Sequence, residues 1–406
     1  MYPDENKSHP GQEEYRPIDA SEPRLRLDTA RCLPVRSKRS TCSACAGACP
    51  VSVLSVAGDG PSLTGDCLGC GRCAAACPTD ALQVDGFPHL PTPAQPAPSV
   101  TRLECWRVPD RELQAGTLRV PCLGGLDASR LLTFQRLAGR QGITLIDRGW
   151  CARCPAYGQH AGHPAGPALL EASRILAETG VPGPELPRLV REPLSERMAT
   201  RSIPASRLEV RTGRRAFFRR LGGHAAATHA AAKGTGDHPS AGNPPPLMDK
   251  YIPPRRQRLV AELRATGGSA TTPSMLPRLT VNSNCKGHAV CVAVCPTGAL
   301  VRENANATSR LRLDAVACIA CGLCETHCPE QAIHVAATSG GEPEVELNRM
   351  DQRECEDCGR PFTARRFDED VCHPCRKSRR FAAAGFAFLT RADPAVTDEN
   401  HGGKSG

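Results

Sequence analysis

The sequence predicts an α+β protein with two small cysteine-rich modules, a small α/β domain between them and a C-terminal cysteine ribbon. One run of four cysteines ending in Cys-Pro occurs twice among the 406 residues, and short β-type segments flank both copies. Between the copies, strand-like and helix-like apolar spacings alternate, which is typical of a layered α/β domain. The length is enough for two to four domains, which agrees with this division.

The cysteine content indicates metal binding. Most of the 23 cysteines stand in close groups, whereas a disulfide framework would need a secretory setting. Residues 1–20 are polar and acidic, and no apolar run approaches the roughly 18 residues of a membrane helix. We therefore expect a cytoplasmic protein without a membrane span. The net charge of +9 would partly offset negative metal clusters, and it is also compatible with nucleic acid.

The clearest motif is the run C-x2-C-x2-C-x3-C-P near the C-terminus. Three thiolates on one such loop can hold three irons of a cubane cluster, while the fourth serves the other cluster of a pair. The motif therefore predicts a partner run elsewhere in the chain. The two complete runs are Cys67, Cys70, Cys73 and Cys77 before Pro78, and Cys318, Cys321, Cys324 and Cys328 before Pro329.

On these runs the chain resembles bacterial dicluster ferredoxins twice, at residues 24–87 and 276–338. Shorter runs precede the complete ones: Cys42, Cys45 and Cys49, and Cys285, Cys291 and Cys295. The resemblance implies up to four [4Fe–4S] clusters with crossed ligand sets. These sets are Cys49 with Cys67, Cys70 and Cys73; Cys77 with Cys42 and Cys45; Cys295 with Cys318, Cys321 and Cys324; and Cys328 with Cys285 and Cys291.

Both shorter runs depart from the ferredoxin pattern. Arg39 stands where the first run would have a cysteine, and Cys32 is the substitute that we expect. In the second run His288 occupies a ligand position, where imidazole would raise the reduction potential. The alternatives are a buried thiol at Cys32, a histidine that lies nearby without binding iron, and [3Fe–4S] clusters at one or both sites.

Residues 99–180 predict the small α/β domain, with strands at 118–120 and 143–146 and helices at 128–140 and 168–179. Its cysteines are Cys105, Cys122, Cys151 and Cys154. Their layout resembles thioredoxin-like [2Fe–2S] ferredoxins, and also the delta-subunit domain of methyl-viologen-reducing hydrogenases. Both resemblances imply one [2Fe–2S] cluster. Zinc, a redox-active Cys151–Cys154 dithiol and plain packing are the alternatives.

Residues 350–380 contain two C-x2-C pairs, formed by Cys355, Cys358, Cys372 and Cys375. Four thiolates at this spacing suit tetrahedral Zn²⁺ and predict a zinc ribbon. A single iron of the rubredoxin type is the alternative. Zinc is favoured because rubredoxin-like sites have a glycine after the last cysteine, and here no glycine follows Cys375.

The remaining segments predict linkers and tails. Residues 1–23 and 381–406 are expected to be disordered, and the proline-rich residues 88–98 form a linker. Residues 181–275 are expected to be a flexible linker with a short helix at 259–264. This linker also contains the basic segment Arg214–Arg220, whose Arg-Arg-x-Phe sequence resembles a twin-arginine export signal. Because the segment is internal and no strongly apolar stretch follows it, a basic docking segment is the favoured interpretation.

The sequence contains no Gly-x-Gly-x-x-Gly fingerprint and no Gly-x-Ser-x-Gly elbow, so we expect no catalytic residues. We predict a multi-cluster electron-transfer protein, a subunit or accessory of a larger oxidoreductase such as a molybdenum enzyme or a hydrogenase. One alternative is a redox-sensing or nucleic-acid-associated regulator, although no helix-turn-helix or aromatic platform supports nucleic-acid binding. The other is an assembly factor for an iron–sulfur or molybdenum enzyme.

Overall fold

The computed structural model describes residues 25–158, 162–195, 197, 208–211, 249–265, 275–305, 308–336, 342–363 and 369–389. The N-terminal tail predicted at residues 1–23 and the basic segment Arg214–Arg220 lie outside these residues. So does the part of the predicted C-terminal tail after Leu389. Within the described residues, no helix is long and apolar enough to cross a membrane.

The strands of the described residues are numbered in chain order. They are β1 (Leu25–Asp28), β2 (Leu54–Ala57), β3 (Gly60–Leu63), β4 (Leu82–Val84), β5 (Arg102–Cys105), β6 (Thr117–Val120), β7 (Thr144–Asp147), β8 (Arg188–Arg191), β9 (Leu208–Arg211), β10 (Arg278–Val281), β11 (Leu300–Ala305), β12 (Thr308–Asp314), β13 (Ile333–Ala336), β14 (Glu344–Glu354) and β15 (Pro361–Thr363).

The helices are numbered in the same way. They are α1 (Leu33–Arg36), α2 (Ala44–Gly47), α3 (Arg72–Ala76), α4 (Ala128–Ala138), α5 (Gly166–Glu178), α6 (Pro254–Ala265), α7 (Val290–Val294), α8 (Leu323–Thr326) and α9 (His373–Leu389). The helices within the cysteine runs are single turns. In both complete runs a glycine with positive φ precedes the helix, Gly71 at 79° and Gly322 at 73°. Glycine adopts this conformation without steric cost, so the chain can turn sharply between the second and third cysteines.

In the first module, β1 pairs antiparallel with β4 and parallel with β9, and β2 and β3 form a hairpin. Leu25, Leu27 and Leu82 pack with the cysteines in a core of their own. The second module repeats the outer pairing, with β10 antiparallel to β13. Each module therefore closes its cysteine loops between a first and a last strand.

The C-terminal ribbon is joined to the second module by a shared sheet. Strands β11 and β12 form a hairpin between the two cysteine runs, and β14 and β15 extend it in the order β11-β12-β14-β15. The helix α9 continues from the ribbon to Leu389. Residues 381–389 are thus helical, which corrects the prediction of a disordered tail that begins at residue 381.

The middle domain has a four-stranded sheet in the order β6-β5-β7-β8, and all of its pairings are parallel. Strands β6 and β7 and helices α4 and α5 agree with the predicted segments. Phe134, Leu103, Leu145 and Ile175 are almost completely buried in its core. Strand β8 continues the sheet beyond residue 180, the end that the sequence predicted.

The helix α6 lies within the segment that was predicted as a flexible linker, and it extends well beyond the expected short helix at 259–264. Leu259, Val260 and Leu263 are buried in one apolar cluster that includes residues of the middle domain and of the second module. Glu262, which is 2% exposed, forms an ion pair with Arg136 on α4 at 2.7 Å. A largely polar helix is therefore a packed element of the core, because its few apolar residues meet two other domains.

Candidate metal centres

In the first module, one cavity is lined by Cys32, Cys42, Cys45 and Cys77. Burial, with the nearby charges of Cys77 and Cys42, raises the pKa of Cys32 to about 11. Burial together with Cys77, Cys32 and Cys42 raises the pKa of Cys45 to about 12. Cys32 thus lies beside Cys42, Cys45 and Cys77, and it takes the place of the cysteine that the shorter run lacks at Arg39. We name this group the Cys32 set.

A second cavity of the first module is lined by Cys49, Cys67, Cys70 and Cys73, here named the Cys70 set. The backbone N–H of Gly69 donates to the sulfur of Cys67 at an N–S distance of 3.4 Å. Cys49 comes from the shorter run, whereas the other three belong to the complete run. Each cavity therefore contains one cysteine from the other run, Cys49 in one and Cys77 in the other. This is the crossed arrangement that the ferredoxin resemblance implies.

The second module brings Cys295 next to the first three cysteines of its complete run, here named the Cys321 set. Burial, with Cys295 and Cys318, raises the pKa of Cys321 to about 12. The Lys250 ammonium donates to the carbonyl oxygens of Val292, Ala293 and Cys295 at 2.7–3.0 Å. Lys250 therefore stabilises the end of α7 directly before Cys295, because these carbonyls lie beyond the helical hydrogen bonds.

The last ferredoxin-type group comprises Cys285, Cys291 and Cys328, here named the Cys328 set. Burial, with Cys285 and Cys328, raises the pKa of Cys291 to about 11. The Nε2 atom of His288 lies 3.3 Å from the Glu330 carboxylate, which also pairs with Lys286. Glu330 follows Cys328 by two residues, so these contacts fasten the loop of the shorter run to the end of the complete run.

The cysteines of the middle domain line a cavity of their own: Cys105, Cys122, Cys151 and Cys154. Cys105 ends β5, Cys122 follows β6, and the close pair follows β7. The carboxyl ends of parallel strands meet at one edge of a sheet, where ligand sites of such sheets lie. Burial, with Cys105 and Cys154, raises the pKa of Cys122 to about 12. The topology therefore gathers four cysteines that are far apart in the sequence.

Sequence reasoning missed two features of this middle site. Glu104, which is completely buried, accepts two hydrogen bonds from Arg148 at 2.8 and 3.0 Å, and this ion pair connects β5 to the loop before Cys151. His163 also lines the cavity, and burial lowers its pKa. A buried charge needs a partner, but nothing in the local sequence indicates which residues become buried.

The two C-terminal pairs form the tightest cysteine group. One ligand atom from each of Cys355, Cys358, Cys372 and Cys375 lies within 4.8 Å of the others. The sulfurs of Cys358 and Cys372 are 3.8 Å apart, and the backbone N–H of Cys372 donates to the sulfur of Cys355 at 3.2 Å. The four thiols thus converge on one point, as the ligands of a single metal ion would.

Neighbouring cysteine sets meet across the domain boundaries. At the first boundary a Cβ atom added to Gly125, close to Cys122, would lie 2.3 Å from the carbonyl oxygen of Cys70. Burial and then the charge of Cys122 raise the pKa of Cys70 to about 12. The loops of the middle site and of the Cys70 set are therefore in direct backbone contact.

The second boundary joins the two modules. Leu33, Val294 and Leu323 form a small buried cluster, and Cys42 and Cys321 pack against it. Next to it, the Ser37 hydroxyl and His327 Nε2 are 2.9 Å apart. The Cys32 set and the Cys321 set are thus separated by a thin apolar layer.

Two family models match the cysteine-rich modules. A 4Fe-4S binding domain matches residues 64–83, and a 4Fe-4S dicluster domain matches residues 283–333. No curated protein sequence matches the chain. Together with the geometry of the cysteines, these matches establish that the chain contains two 4Fe–4S ferredoxin-type domains and a C-terminal cluster of four cysteines, and they indicate an iron–sulfur protein of electron transfer.

Proposed function

We propose that this chain is an electron relay with cluster sites in three successive domains, and that it serves a larger oxidoreductase. Iron–sulfur clusters supply one-electron carriers whose potentials depend on ligands, hydrogen bonds to sulfur and solvent exposure. The observation that carries the proposal is the contact between neighbouring cysteine sets at both domain boundaries. A protein that used its clusters only for stability would not need the sets to touch across those boundaries.

The order of the relay follows from these contacts. The middle site adjoins the Cys70 set. Cys45 of the Cys32 set and Cys73 of the Cys70 set are buried in one cluster. The Cys32 set meets the Cys321 set at the Leu33 cluster. Burial is the main cause that raises the pKa of Cys324, and Cys291 contributes after the cysteines of its own set. The Cys328 set therefore lies beside the Cys321 set, at the far end. The middle site and the Cys328 set are therefore the two ends of the proposed relay.

The partners that we propose are redox proteins that meet these two ends. The Cys328 set suits an outer position because His288 keeps 35% of its side-chain surface exposed. A molybdenum enzyme or a hydrogenase is the class of oxidoreductase that we infer, by analogy with multi-cluster ferredoxin subunits.

For the C-terminal cluster we propose a structural zinc ion. A tetrahedral site with Zn–S bonds of about 2.3 Å has sulfur–sulfur edges of about 3.8 Å, and the Cys358–Cys372 separation is 3.8 Å. All four coordination positions would be filled by protein thiolates, which is typical of closed structural sites. The ion would hold β14, β15 and the start of α9 together.

Anaerobic purification followed by metal analysis and redox-monitored EPR tests the proposal. We expect about 16 cubane irons from four clusters, two further irons in the middle domain and one zinc per chain. Reversible reduction should resolve at least two midpoint potentials, because the Cys32 and Cys328 sets depart from the common ligand pattern. Clusters that cannot be reduced and reoxidised reversibly would contradict the relay.

A further inference from the structure

We propose that His163 is a positioning residue of the middle site, where its Nε2–H donates a hydrogen bond to the Cys151 thiolate. The inference rests on the metal cluster proposed for that site. A ring nitrogen of His163, the sulfur of Cys151 and a carboxylate oxygen of Asp147 all lie within 4.8 Å of one another. The imidazole also lines the cavity that the four cysteines surround.

The hydrogen bonding of the ring decides between a donor and a metal ligand. Nδ1 accepts a hydrogen bond from the backbone N–H of Ala165 at 3.2 Å. A nitrogen that accepts carries no hydrogen, so the neutral ring has its hydrogen on Nε2. Nε2 could bind iron only if that hydrogen moved to Nδ1, which would end the contact with Ala165. The geometry therefore favours the donor.

The Nε2 atom needs an acceptor. It is buried and has no hydrogen-bond partner among the residues that the structure describes, and such unsatisfied groups are rare in native proteins. A metal-bound cysteine sulfur would be such an acceptor, and the Cys151 sulfur lies within 4.8 Å of a ring nitrogen of His163. A carboxylate oxygen of Asp147 lies within 4.8 Å of the Cys151 sulfur, so an N–H donor on that sulfur would offset the repulsion between the two negative groups.

A hydrogen bond to a cluster sulfur is one of the factors that set the reduction potential. Because it stabilises the extra negative charge of the reduced form, removing it should lower the potential. The variant His163→Leu in the full chain removes the donor and should shift the midpoint potential of the middle-site EPR signal downward, with iron content unchanged. His163→Gln, whose amide can donate, should restore part of the shift. His89→Leu is the matched control, since His89 is exposed in the linker before β5.

Spectroscopy of the unmodified chain tests the same inference directly at the cluster. Proton ENDOR of the signal that Cys122→Ala removes should show a strongly coupled proton that exchanges in D2O, and only weak nitrogen coupling. A strong, directly bonded nitrogen coupling would instead make His163 a ligand and overturn the donor role. Equal potentials and proton couplings in the native chain and His163→Leu would overturn it too.

The outcome also separates this inference from the proposed relay. If Cys122→Ala lowers neither the iron count nor any EPR signal, the middle site holds no cluster and the role of His163 is refuted. The four cubanes of the two modules would still carry electrons reversibly in that case. Failure of those cubanes to undergo redox cycling would refute the relay instead.

Discussion

Among single residues, the cysteine that precedes proline in each run lies with the cysteines of the neighbouring set. Cys328 ends the second complete run, yet it lies with Cys285 and Cys291, whereas Cys295 lies with Cys318 and Cys321. The third cysteine, Cys324, lies in the short helix α8. This helix carries the chain away from the first three thiols before Cys328 is reached. One side chain therefore belongs to the neighbouring set.

Changing Cys328 to Ala should remove a ligand from the Cys328 set and leave the Cys321 set intact. We expect the iron content to fall by up to about four irons, with loss of one EPR signal. Cys295→Ala is the mirror control and should affect the other signal. Loss of the Cys321-set signal alone in Cys328→Ala would refute the crossed arrangement.

At the scale of the element, buried ionic contacts hold the cysteine-bearing segments in place. The ion pair between Glu104 and Arg148 joins β5 to the loop after β7, and both side chains are at least 93% buried. Arg255 at the start of α6 donates to the carbonyl oxygen of Cys77 at 2.7 Å, while Arg256 donates to those of Ala315 and Val316. The helix α6 thereby holds both modules.

Replacing Glu104 by Gln leaves the buried Arg148 without its main counter-charge. Breaking one partner of a buried pair costs about 3–5 kcal/mol, and we expect a value near the lower limit because Glu192 also contacts Arg148 at 3.2 Å. Anaerobic thermal unfolding measures the loss. Asp110→Asn is the control, since Asp110 is 82% exposed in its pair with Arg119 and should change stability little. Equal stability of the two variants would contradict a structural role for the buried pair.

Truncation of Leu263 tests whether α6 is part of the core. Leu263 is completely buried, so Leu263→Ala should reduce the free energy of unfolding by about 2–5 kcal/mol. The neighbouring Arg264 is exposed, and Arg264→Ala should leave stability nearly unchanged. Chemical denaturation of the cluster-loaded protein under anaerobic conditions compares the two. A negligible effect of Leu263→Ala would restore the interpretation of this segment as a linker.

At the scale of the whole molecule, the contacts between domains give the five cysteine sets a linear order. The Gly125 contact places the middle site against the first module, and the Leu33 cluster places the first module against the second. The C-terminal ribbon shares a sheet with the second module. In the proposed relay, an electron that enters at one end would pass through the middle domain and both modules.

Gly125→Val should separate the middle site from the Cys70 set, because its added Cβ would overlap the Cys70 carbonyl oxygen. We expect weaker magnetic coupling between the two reduced clusters, with the iron content retained. Pulsed EPR measures this coupling. Gly183→Val is the matched control, since a Cβ atom there has no atom within 4 Å. Unchanged coupling in Gly125→Val would contradict the proposed order.

Features that depend on local spacing could be predicted from the amino-acid sequence. The cysteine runs predicted two 4Fe–4S modules because ligands on one tight loop are close in sequence, and the family matches confirm both modules. The strands β6 and β7 and the helices α4 and α5 were predictable for the same reason, since apolar periodicity is a local property.

Which distant groups come together became clear from the three-dimensional fold. It brought Cys32 to its three partners, gathered the middle cysteines at one sheet edge, placed His163 beside Cys151 and packed α6 between the domains. These outcomes depend on burial by residues far away in the chain, and a largely polar helix or a lone histidine carries no local sign of that burial. The order of the cysteine sets is likewise a property of domain contacts, which spacing along the sequence does not encode.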